Sequence, residues 1–87
     1  MALLFIGIDP DTEQGDSPTV WADTDRGELL IQGWTATPED EERCYQAGTA
    51  PGHESGVPAH ETLVRIPARM STILREACDA LERPADH

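Results

Sequence analysis

The sequence predicts a small α+β domain: a three- to four-stranded, mainly antiparallel sheet with a C-terminal amphipathic helix packed on one face. Three observations carry this. Met70, Ile73, Leu74, Ala77, Cys78 and Leu81 recur at helical spacing and form one apolar stripe. Two β-rich runs, Thr19–Asp23 and Glu28–Trp34, flank a short Gly-containing turn and read as a hairpin. A third apolar run, residues 2–8, opens the chain and is stopped by Asp9-Pro10.

The opening run, Ala-Leu-Leu-Phe-Ile-Gly-Ile, is expected to be a buried strand. Residues 9–18 are polar and punctuated by Pro and Gly, which makes them a loop. In the hairpin turn Asp25-Arg26-Gly27, the glycine is available for positive φ. A short helix is expected from Pro38, with Thr37 as its N-cap, Pro38 at its first position and Gly48 as its stop. The acids at 39–42 then complement the helix dipole, which gives this cluster a structural explanation. Residues 49–60 lack periodicity and read as a mobile loop, Glu61–Ile66 as a fourth strand. The closing helix should span Pro67 to Arg83, with Cys78 as a small core residue and 84–87 as a frayed tail. At 87 residues one domain is expected, with a small core.

Charge narrows the function classes. There are 17 acids against 6 arginines and no lysine, a net charge of -11. All of the excess lies in residues 1–61, where thirteen acids face only Arg26 and Arg43. Such a surface repels phosphate backbones and anionic lipid, so direct nucleic-acid and membrane binding are disfavoured. A basic protein partner would be drawn in at a rate that falls with salt; the alternative is that the charge only maintains solubility. The first residues lack a basic region before the apolar run, and no apolar run approaches bilayer length. The expectation is a soluble cytoplasmic protein with Cys44 and Cys78 reduced.

No chemical motif stands out. Asp9, Asp11, Glu13, Gly15 and Asp16 invite a calcium reading, but an EF-hand count from Asp9 puts Gln14 at position six and Val20 at position twelve. Cys44, His53 and His60 match no zinc-finger spacing. Ser17, Ser55 and Ser71 lack a nucleophile-elbow context, and neither a phosphate-binding nor a dinucleotide-binding glycine pattern is present. The reading is therefore of a protein that is not an enzyme and needs no cofactor. The two tryptophans are more informative. Trp21 and Trp34 fall in consecutive strands, where they could face one another across the hairpin. On the helix side they would be core; on the open side, with Leu30, Asp23 and Glu28, they would form an aromatic patch rimmed by acids. The alternating residues Leu29 and Ile31 make both faces of this strand apolar, which favours dimerisation or partner binding.

The segments Pro18-Thr19-Val20-Trp21, Leu30-Ile31-Gln32-Gly33-Trp34, Arg65-Ile66-Pro67-Ala68-Arg69-Met70 and Ile73-Leu74-Arg75-Glu76-Ala77-Cys78 resemble small acidic proteins of actinobacteria, typical of streptomycetes. Some of these are encoded beside helix-turn-helix regulators and act as their partners. The resemblance implies an accessory regulatory role and assigns no functional residue. Together with the charge, it leads to an acidic protein-interaction module whose partner is a basic DNA-binding regulator, in the sharper form by imitating DNA. The alternative is a small-ligand or metal-sensing domain using the loops at 9–18 and 49–60.

Overall fold

The computed structural model describes residues 3–11, 17–48, 50–51 and 57–83. The chain divides into two compact units, one drawn from Met1–Gly33 and Ile66–His87, the other from Trp34–Arg65.

The first unit holds strands β1 (Leu3–Ile8), β2 (Thr19–Asp23) and β3 (Glu28–Gln32), then a 3₁₀ turn (Ala68–Met70) leading into the C-terminal helix α2 (Ser71–Glu82); helix α1 (Pro38–Ala47) belongs to the second unit. The strands form an antiparallel sheet in the order β1-β2-β3, with β2 in the centre. The hairpin forms as its sequence dictates. Gly27 takes φ 68°, and Asp23 accepts the N–H groups of Asp25 and Arg26 on one carboxylate oxygen. Helix α2 lies on one face of this sheet. Val20, Met70 and Ala77 are fully buried at the contact, with Ile6, Leu29, Ile66, Ile73 and Leu74 packed around them. A register shift between Phe5 and Gly7 is a β-bulge in β1. It sets Gly7 opposite Val20 on the helix side, where a Cβ would lie 3.0 Å from Ile73 Cδ1. The α+β arrangement expected from sequence is the one observed.

Asp9 pins the helix to the sheet end. Its side chain is buried, and the half-exposed Arg69 donates from Nε to Oδ1 at 2.6 Å and from Nη2 to Oδ2 at 2.7 Å. The bidentate fork ties the end of β1 to the turn that starts α2. The Asp9 hydrogen bonds hold the Arg69 guanidinium above its already high pKa.

The second unit contains β4 (Trp34–Thr35), α1 (Pro38–Ala47) and β5 (Val64–Arg65). Helix α1 begins at the predicted cap: the Thr37 hydroxyl accepts from the Asp40 N–H, and the Asp40 carboxylate accepts from the Thr37 N–H. Gly48 closes it at φ 103°. β4 and β5 form a separate two-stranded antiparallel sheet.

Four expectations need correcting. The opening strand is not buried: Leu3, Leu4, Phe5 and Ile8 are all substantially exposed, because β1 is an edge strand and α2 covers one face only. The third strand breaks at Gly33, which offers no side chain to hold a strand interior, so Trp34 enters the second sheet. The expected fourth strand shortens to Val64–Arg65 and pairs with β4. Cys78 is exposed, as is Cys44. It lies about 100° around the helix from Ala77, the residue of α2 that is fully buried in the core.

Candidate protein-interaction face

Directly opposed residues of an antiparallel pair project to the same face of the sheet. Since Val20 and Ala22 are buried on the helix side, Trp21 between them points to the other. The register then builds that second face in three rows. Phe5, Trp21 and Leu30 stand opposite one another across all three strands. On one side of this row lie Leu3, Asp23 and Glu28; on the other lie Ile8, Thr19 and Gln32. Phe5 is 61% exposed and Leu30 47%, whereas Trp21, on the central strand, is half-buried between them.

The rows differ in chemistry. The central row is wholly apolar. At one end Thr19 Oγ1 and Gln32 Nε2 both donate to the Ser17 carbonyl, at 2.7 and 2.6 Å. At the other, Asp23 and Glu28 supply two carboxylates, one already engaged with the hairpin turn. An apolar centre framed by satisfied polar groups and acids is the anatomy of an interface patch.

Of the sequence-derived candidates, Trp21, Leu30, Asp23 and Glu28 thus share one face. Trp34 belongs to the second unit, where it stands opposite Arg65, and across the hairpin Trp21 is instead paired with Leu30. Phe5, Leu3 and Ile8 were missed, because a continuous apolar run does not reveal which of its faces will be covered.

The second unit has a cleft of about 330 Å³ between α1 and β5, lined by Asp40, Arg43, Cys44, Val64 and Arg65 among others. Within it Arg65 Nη1 donates to Asp40 Oδ1 at 3.1 Å. The Asp40 carboxyl is held below the usual carboxylate range, first by the backbone N–H of Thr37, then by its hydroxyl and by Arg65, against a partial opposing effect of desolvation.

Among the described residues no three His, Cys, Asp or Glu side chains cluster. Both oxygens of Asp9 are engaged by Arg69, and His60 is exposed beside Glu61 at 3.8 Å. Glu13, Gly15, Asp16 and His53 lie outside the described residues. Among those described, no helix is long and apolar enough to cross a membrane. No protein-family model, curated protein or solved structure matches the chain.

Proposed function

We propose that the chain is a cytoplasmic, acidic protein-interaction module that presents the Phe5–Trp21–Leu30 face to a basic protein partner, with a DNA-binding regulator as the leading class. The observation that carries this reading is the apolar row running unbroken across the sheet opposite α2. An exposed aromatic on such a surface is a ready anchor once water is excluded around it. The net charge of -11 supplies long-range attraction, and the Asp23–Glu28 row offers local partners for arginine or lysine.

The test is affinity capture on the immobilised chain at low and high salt, run in parallel with a Phe5→Thr/Leu30→Thr variant. A stoichiometric basic partner that binds the original chain, weakens with salt and is lost on the variant supports the reading. Retention of the same partner by the variant would refute the assigned face. Equal binding at both salts would refute imitation of DNA, since counterion-driven contacts weaken steeply with salt.

A second reading rests on the α1–β5 cleft, where Arg43 and Arg65 could take a small anionic ligand. A thermal-shift screen with metabolite carboxylates and phosphates tests it, because a ligand that binds only the folded state raises the melting temperature.

A further inference from the structure

We propose that β3 pairs with β3 of a second copy of this chain, antiparallel and centred on Leu30, to give a two-fold dimer with a continuous six-stranded sheet. Among the described residues β3 has a ladder partner on one side only, β2, so its outer edge offers backbone donors and acceptors to another strand. Edge strands in monomeric proteins are commonly blunted by a bulge, a proline or an inward lysine. β3 carries no bulge, proline or lysine: Glu-Leu-Leu-Ile-Gln pairs with β2 in unbroken register, and its one charge is Glu28 at the end of the strand. The opposite edge, β1, does carry a bulge, between Phe5 and Gly7. The sheet therefore has one regular edge and one interrupted edge, which favours closure at two copies over an open filament.

The side chains agree with a second copy as the occupant. Pairing β3 with itself about Leu30 sets Leu30 against Leu30, Leu29 against Ile31, and Glu28 against Gln32. No acid then faces an acid, although the chain has 17 of them. β3 is also apolar on both faces: Ile31, on the helix side, is 40% exposed, and Leu30, on the other, 47%. A strand added at the edge shelters both at once, which a partner lying on a single face does not. An axis normal to the sheet keeps both copies of α2 on one side and joins their Phe5–Trp21–Leu30 rows on the other. The global charge opposes this association, so added salt should strengthen it, the reverse of its effect on a basic partner.

The experiment is sedimentation velocity on the full chain across protein concentration at low and high salt, with hydrogen exchange read at the β3 amides. The expected result is a monomer–dimer equilibrium that tightens with salt, with concentration-dependent protection of β3. Gln32→Glu, which sets two acid pairs across the axis, should weaken the dimer by about tenfold. Gln32→Lys should tighten it beyond Glu41→Gln, a helix-surface change with the same charge increment. Because Gln32 also donates to Ser17, melting curves of both variants confirm that they fold. Should neither fold, protection of β3 in the original chain decides alone. A monomer at every concentration and salt overturns the proposal. So does a dimer that leaves β3 unprotected, or one that dissociates as salt is added. Phe5 lies on β1, away from the paired edge, so loss of a basic partner on Phe5→Thr alone tests the open face apart from any of these outcomes.

Discussion

Truncating Met70 and Phe5 separately should give very different losses of stability, because the two sit on opposite faces of the same sheet. Met70 is 0% exposed within the contact between α2 and the sheet. Burying a methionine side chain stabilises by about 1.5–3 kcal/mol, and Met70→Ala also leaves a cavity in a close-packed site. Together these give about 3–4 kcal/mol, inside the range of about 2–5 seen for such truncations. Phe5 is 61% exposed, so about two-fifths of a full phenylalanine transfer applies, about 1 kcal/mol, with no cavity to add. Phe5→Thr keeps strand propensity and so isolates that contribution. In a domain of this size each kcal/mol moves the melting temperature by about 4–8 °C. Met70→Ala should then melt at least about 12 °C below the original chain, and Phe5→Thr about 4–8 °C below it. Far-ultraviolet circular dichroism during heating measures both. Since the total stability of such a domain is about 4–13 kcal/mol, Met70→Ala can approach unfolding at room temperature. The volume-conserving Met70→Leu, costing less than about 1.5 kcal/mol, holds the test in range. Equal losses at Met70 and Phe5 would refute the assignment of covered and open faces, and the interaction reading with it.

Four further outcomes follow from the geometry. Arg69→Met should lower the melting temperature more than Asp9→Asn: the first takes both guanidinium donors from a buried carboxylate that keeps the Asp11 N–H, the second leaves a half-exposed guanidinium that water can reach. The reverse order would show that the pair does not pin α2. Asp40, its folded pKa lowered, stabilises α1 at neutral pH and loses that contribution as pH falls from about 4 through its folded value; helical signal should decline there, and Asp40→Asn should flatten the profile. Gly27→Ala should cost about 1–2 kcal/mol and Gly27→Asn less, since only the left-handed φ is at issue where no atom lies within 4 Å. Both cysteines should react with a small thiol reagent without denaturant, and a protected Cys78 would restore it to the core.

What was legible in the sequence divides by the range of the physics involved. The cap of α1 was readable because Thr37, Pro38 and Gly48 act on their own neighbours, and the structure adds only that Asp40 completes the box. The hairpin was readable for the same reason, through Gly27. The Asp9–Arg69 fork was not, since its partners are 60 residues apart and each looks like an ordinary surface charge. Solvent coverage was the least legible quantity. Periodicity identifies Leu3–Ile8 as apolar, but whether a second layer exists to cover it depends on how much apolar surface the rest of the chain can offer. Here one twelve-residue helix covers one face. The Cys78 error has the same root: of the six stripe positions five are at least partly covered, and Cys78, at the margin of the stripe, is left exposed.

The charge and the uncovered strands are two parts of one balance. An apolar row on the open face and a regular apolar edge at β3 would drive indiscriminate association in a neutral protein. With a net charge of -11, every encounter between two copies begins with repulsion, extending over a Debye length of about 8 Å at physiological ionic strength. A contact that avoids placing acids together lessens it, and the proposed pairing of β3 with itself, which would set Glu28 against Gln32, meets that condition. A basic partner meets no repulsion and can use the open face directly. The same charge thus separates the two modes by sign: salt should favour self-pairing at the edge and disfavour the basic partner on the face. Measuring both on one preparation turns ionic strength into the variable that distinguishes them. If both strengthened with salt, charge would be steering neither, and burial of apolar surface alone would account for binding.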